Sequence, residues 1–241
     1  MKGLSEYTLA RVQLGTAGAS LPTRPLLDLR LAHALARDAV HLPLDVFSLA
    51  QEMKQQGWDV RVLRSTAQHR TEYLQRPDKG RLLDPNSIAE AAKFGRMPVS
   101  IVVADGLSSL AVHRHALPLL QELLTFNLFT DRSPAIWIVQ QGRVAIGDHI
   151  GQLLEADLCI VIIGERPGLS TPDSLGIYIT WQPRIGRKDA ERNCISNIHS
   201  KGLSYKYAAE KVAFLASEAQ RRKLTGVQLK DTAGDVTGLL K

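Results

Sequence analysis

The stretch LCIVIIGERPGLSTPDS, residues 158–174, decides the fold: an apolar run from Leu158 to Ile163 breaks at Gly164 into a polar loop rich in glycine and proline. A strand covered on both faces has no polar side to show. It therefore reads as a continuous apolar run, as the strands of parallel sheets do. The loop that follows then stands at the carboxyl edge of the sheet, where open α/β folds bind ligands. Glu165 opens that loop. A carboxylate there either accepts hydrogen bonds from a ligand's amides or hydroxyls, or forms a loop-surface ion pair with Arg166 or Arg184.

Upstream, the same rhythm recurs. Val99–Ala104 (VSIVVA) and Ala135–Val139 (AIWIV) are apolar runs, each followed by a turn and a helical pattern, the first to about Leu124 and the second over Ile146–Leu154. Ile177–Thr180 reads as a short fourth strand, Gly202–Leu224 as a long closing helix, and the tail after Leu224 as loose chain. Strands alternating with helices predict βαβ units and a mostly parallel sheet flanked by helices. The N-terminal third differs. Leu26–Val40 carries helical spacing after Pro22 and Pro25, and Asp45–Gln56 is helical up to Gly57. Trp58–Arg64 alternates like a half-buried strand. Arg76–Arg81 is a basic turn, and Asp84-Pro85-Asn86-Ser87 reads as a helix entry. This divides the chain into a mainly helical N-terminal subdomain, residues 1–85, and an α/β domain, residues 86–241.

Composition narrows the function. The 241 residues hold 44% hydrophobic side chains and two cysteines, Cys159 and Cys194. No apolar run approaches the ~20 residues of a membrane span, and two cysteines make no disulfide framework, which points to a reducing cytoplasm. The net charge of +6 is spread: residues 1–97 carry 14 Lys/Arg against 10 Asp/Glu, and residues 98–241 carry 16 against 14. That even spread, with 5% aromatics, argues against a nucleic-acid footprint. Neither the P-loop nor the dinucleotide glycine pattern follows any strand. Metal motifs are missing, and His113 and His115 fall on different faces of their helix. Cys194 with nearby His199 is open to two readings, a thiol nucleophile or a packed cysteine. The cations Arg184, Arg187, Lys188 and Arg192 read as a solvated face or as a site for an acidic partner or phosphate. A stand-alone ligand-binding module at the sheet edge remains the alternative that composition alone allows.

Three strings carry more than composition does: Gly142-Arg143-Val144-Ala145-Ile146, Ile163-Gly164-Glu165-Arg166-Pro167-Gly168-Leu169, and Asp189 to Ile198 (DAERNCISNI). Together with Tyr73–Arg81, Val103–Ser108 and the Ala10–Gly18 segment, they resemble the small (light) subunit of ethanolamine ammonia-lyase over roughly residues 10 to 225. Thr16 and Leu82 depart from that family's common pattern, each standing where arginine is frequent. The resemblance implies a Rossmann-like fold and a share in an adenosylcobalamin-dependent conversion of ethanolamine to acetaldehyde and ammonia. It implies a large-subunit partner, a TIM barrel that performs the radical chemistry, while this chain supplies no catalytic residue. It places cofactor contacts at Val144, Glu165 and Cys194, the last on a loop opposite. The D-x-H-x-x-G motif is absent from the sequence, so the resemblance implies base-on cobalamin with no cobalt ligand from this chain. Relatives sent to bacterial microcompartments often carry a longer leader, so the cytoplasm is the expected location and encapsulation stays open.

Overall fold

A computed structural model describes residues 14–126 and 134–231; the family-like string at 10–12 lies outside them. The fold is mixed α/β. Its strands are β1 (Val60–Arg64), β2 (Val99–Ala104), β3 (Ile136–Gln140), β4 (Leu158–Gly164), β5 (Leu175–Trp181) and β6 (Asn193–Ile198). They form one sheet in the order β1-β3-β2-β4-β5-β6. From β1 to β4 every pairing is parallel, whereas β5 and β6 run antiparallel to their neighbours. β1 lies before position 85 and pairs with β3, so both stretches of the chain contribute to this sheet.

Most of the helices begin where a side-chain acceptor meets a free backbone N–H group. α1 (Thr23–His41) enters from Pro22, while Asp45 caps α2 (Val46–Gln55) by accepting from the Ser48 amide. α3 (Arg70–Gln75), capped by His69, is not expected from the sequence: six residues are too few to show a period. Asp84 caps α4 (Pro85–Ala91), with proline at its first turn, as the sequence predicts. Ser108 caps α5 (Ser109–Leu123), and Ser204 caps α7 (Tyr205–Arg222). Between these two lies α6 (Ile146–Leu153).

Each strand alternates its side chains between two cores. On one face Ile101, Val103, Ile160, Ile162, Ile177 and Ile179 pack with apolar residues of α2, α5 and α7. On the other, Val102, Ala104, Trp137, Val139, Val161 and Ile163 pack with Ile146 and Ile150 of α6 and with Ala91 of α4. The second core stops short. Of β5 only Tyr178 packs against it, and β6 contributes nothing. On that face Tyr178 is half-buried, and Cys194 and Ser196 of β6 are exposed.

Two expectations need correction. The segment around Cys194 is not a loop but the edge strand β6, whose exposed Cys194, Ser196 and Asn197 hid its strand character. Nor is the described chain after Leu224 loose. Thr225 Oγ accepts from the Trp181 amide, Asn193 donates to the Leu229 carbonyl, and Leu229 is buried. This segment is held against Asn193, where β6 begins.

Candidate functional site

The carboxyl ends of β2, β3 and β4 open into a cleft of about 440 Å³. Its floor is set by Asp105, the residue that follows β2. The carboxylate is fully buried and accepts the amides of Gln141 (2.9 Å) and Gly142 (2.8 Å), the turn after β3. Arg70 of α3 donates to it at 3.3 Å. Burial pushes the Asp105 carboxyl up to about 6, against the pull of Arg70 and the amides.

Tyr73, also from α3, closes one wall. Its hydroxyl donates to the Gly142 carbonyl at 3.1 Å, and the Arg143 guanidinium lies 4.2 Å from its ring centre. Arg143 also donates to the Tyr73 carbonyl. The turn 141–143 is thus held by Asp105 beneath and Tyr73 beside it, and the next residue, half-buried Val144, lines the cleft. Gly106 makes the opposite wall close: its φ is +56°, and a Cβ there would come within 2.2 Å of the Gly164 carbonyl oxygen. Only glycine fits so near a strand end.

Glu165 continues from β4 into the cleft lining. Its Oε2 accepts the Ser174 hydroxyl at 2.6 Å, and both oxygens receive the Asn197 amide at 3.3 Å. Among the described residues it forms no ion pair with Arg166 or Arg184. Gly176 leaves the space, since a Cβ there would stand 3.1 Å from Glu165 Oε1. Oε1 takes only the long Asn197 contact, so it keeps capacity for a further donor.

Cys194 does not line the cleft itself. It pairs with Tyr178 across β5–β6, and Tyr178 does line it. The residue is exposed, but its sulfur sits against the Tyr178 hydroxyl. Partial burial, helped by the nearby Glu165 charge, pushes the thiol above its usual range although the Tyr178 hydrogen bond pulls it back. Such a thiol is the opposite of an activated nucleophile. Cys159, buried in β4, is pushed up to about 12. Among the described residues no group of three or more His, Cys, Asp or Glu is placed to hold a metal ion.

The structure also separates the basic residues that the sequence groups together. Arg184 and Lys188 are exposed, but Arg192 is buried and donates to both Asp148 oxygens at 2.9 and 2.8 Å. His113 and His115 part as expected: the first accepts from the Asp45 amide, and the second meets the Tyr205 hydroxyl. Tyr73, Arg143 and Tyr178 in the cleft wall and Asp105 buried behind it are residues to which the sequence assigns no role. Three of them lie inside family-like strings, but only the fold brings them to one place.

What the arrangement offers is an apolar and aromatic surface (Val144, Tyr178) beside a carboxylate acceptor (Glu165) and a cation (Arg143). It suits a ligand that combines an apolar face with a hydrogen-bond donor. No helix of the described residues is long and apolar enough to cross a membrane.

Comparison with known proteins agrees with the strings quoted above. The family model for the ethanolamine ammonia-lyase light chain (EutC) matches residues 1–230. The ethanolamine ammonia-lyase small subunit of Pseudomonas paraeruginosa is 53% identical over 237 residues, covering 95% of this chain and 86% of the relative. The small subunit of Azotobacter vinelandii is 52% identical over 242 residues, with 95% and 87% covered. That of Pseudomonas putida is 50% identical over 238 residues, with the same coverage. The chain belongs to the ethanolamine ammonia-lyase light-chain family.

Proposed function

We propose that this chain encloses adenosylcobalamin against a large-subunit partner and takes part in ethanolamine breakdown without supplying a catalytic residue of its own. The observation that carries this reading is the meeting of Val144 and Glu165, from the loops after β3 and β4, in one open cleft that Cys194 adjoins through Tyr178. Primary amides around a corrin rim are donors, and Glu165 Oε1 has room to accept one. Val144 and the Tyr178 ring give apolar contact to a corrin edge. A corrin with its side chains is larger than this cleft, so the chain can cover one side only, which is what a shared site requires.

Bound adenosylcobalamin supplies the radical chemistry. The residues here bind, orient and exclude water: Asp105 and Tyr73 fix the turn that presents Val144, and Ser174 and Asn197 fix the Glu165 carboxylate. No proton transfer is assigned to this chain.

Reconstitution with a large subunit tests the reading. Glu165→Ala removes one charge-assisted hydrogen bond of about 1.5–3 kcal/mol, so apparent adenosylcobalamin affinity in the assembled enzyme should fall about tenfold or more, with turnover at saturation little changed. Unchanged affinity would count against the contact. Tight ligand binding by the isolated chain, indifferent to the large subunit, would favour a stand-alone binding module instead.

A further inference from the structure

A second groove of about 550 Å³ adjoins the cleft and shares Arg143 and Val144 with it. Its walls come from the basic turn ending at Arg81, the entry of α6 at Val144–Ala145, and the Gly186–Asp189 loop with Arg192. Five cations line it, Arg81, Arg143, Arg187, Lys188 and Arg192, against one carboxylate, Asp189. Two of the five are neutralised from within: Arg192 by Asp148, and Arg187 by Glu191. Asp189 is 96% exposed at its side chain and stands 3.5 Å from Arg192 Nε. Arg81, Arg143 and Lys188 form no ion pair among the described residues, so the groove keeps an excess of positive charge.

One unused donor points the same way. Ala145, the N-cap of α6, offers no side-chain cap, and the Ile146, Gly147 and Asp148 amides turn back to the carbonyls of Arg143, Val144 and Ala145, so the α6 entry lends the groove the positive end of its dipole but no free amide. The Nε of Arg143 is buried without a hydrogen-bond acceptor, whereas that of Arg192 already faces the Asp189 carboxylate. Buried guanidinium N–H groups without acceptors are uncommon. A tetrahedral oxyanion carries several acceptor oxygens on one charge and suits such a mixture of guanidinium and ammonium donors.

We infer that this groove is an anion subsite that takes a phosphodiester, namely the one joining the nucleotide loop of cobalamin to the corrin. The inference rests on the proposed cobalamin contact in the neighbouring cleft and extends it: Glu165 holds the amide rim while Arg81 and Lys188 hold the phosphate. Their role is binding and orientation. Free inorganic phosphate shares the chemistry and is the competing occupant.

The test uses the reconstituted two-subunit enzyme and the Arg81→Ala/Lys188→Ala double variant. Both side chains are exposed, and the variant is first checked for an unchanged melting temperature and unchanged assembly with the large subunit. Equilibrium dialysis compares adenosylcobalamin with adenosylcobinamide, which lacks the phosphodiester and nucleotide. The expected result is a loss on the order of tenfold for adenosylcobalamin, shrinking as salt screens the charges, with adenosylcobinamide unchanged. Unchanged adenosylcobalamin affinity, or equal losses for both corrinoids, would overturn the inference. So would inorganic phosphate binding that depends on Arg81 and Lys188 while adenosylcobalamin affinity does not. Glu165→Ala run in parallel keeps the two readings apart. If it weakens both corrinoids while the double variant weakens neither, the groove fails and the cleft stands; if it weakens neither, the cleft reading itself fails.

Discussion

Gly106→Ala offers a direct measure of how tightly the cleft is built. Gly106 sits at φ +56°, and an added Cβ would lie 2.2 Å from the Gly164 carbonyl oxygen and 2.5 Å from Ile163 Cγ1. An ordinary carbon–oxygen contact is about 1 Å longer than that, so the strand end and the turn must separate by about that much. Three costs follow. The left-handed backbone costs an alanine about 1–2 kcal/mol. Overpacking against the end of β4 adds about 1–3 kcal/mol. The Leu107 amide also donates to the Gly164 carbonyl at 3.0 Å, and stretching that bond forfeits about 0.5–1.5 kcal/mol. The sum is roughly 2.5–6.5 kcal/mol, a large share of a typical 5–15 kcal/mol of stability. Gly57→Ala is the control: its φ is +82° just after α2, and a Cβ added there would meet nothing within 4 Å, so only the backbone cost of about 1–2 kcal/mol applies. Urea unfolding of both variants, read by circular dichroism, gives the difference. Equal losses for the two would refute the claim that close approach, rather than backbone conformation, holds Gly106 in place. A further expectation concerns the site. Glu165 follows Gly164 directly, so Gly106→Ala should also weaken corrinoid capture in the assembled enzyme.

Two other perturbations probe the supports around the cleft. Asp148→Asn leaves Arg192 buried without its counter-charge and should cost about 3–5 kcal/mol, whereas Asp148→Leu with Arg192→Met should recover much of that loss in the same unfolding assay; a double variant no better than the single would argue against the ion pair as the cause. His149 is held below its usual range by burial, while its Nδ1 accepts the Leu83 amide. Between that lowered value and the unfolded value near 6.5 the unfolded chain binds more protons. Stability from this group is therefore present above about pH 6.5 and falls as the solution is acidified. Thermal melts from pH 7.5 to 5.5 should show a slope that His149→Asn reduces, and parallel slopes would exclude it.

The legible parts of this fold are those whose environment is uniform along the chain. β2, β3 and β4 are buried on both faces, so nearly every residue is apolar and the run itself announces the strand. β6 is illegible because an edge strand with one open face carries Asn193, Cys194, Ser196 and Asn197 at its exposed and half-exposed positions, a pattern a loop would share. α3 is too short to show a period, yet it brings Arg70 and Tyr73 to the cleft.

The candidate site divides in the same manner. Glu165 could be placed at a sheet edge because Gly164 ends an apolar run, a feature local to the sequence. Arg192 could not be told from its solvated neighbours, because its partner Asp148 lies on α6, far back along the chain. Asp105 reads as an ordinary turn residue until β3 is laid beside β2 and the Gln141 and Gly142 amides come within reach. Sequence by itself determined the α/β class, the parallel core and the family, since apolar runs and specific strings are written along one dimension. Tertiary structure alone decided that Val144, Glu165 and Tyr178 share one cleft and that an adjoining groove keeps unspent positive charge. Convergence of that kind depends on strand order and on long-range pairing of charges and amides, neither of which any local stretch of chain encodes.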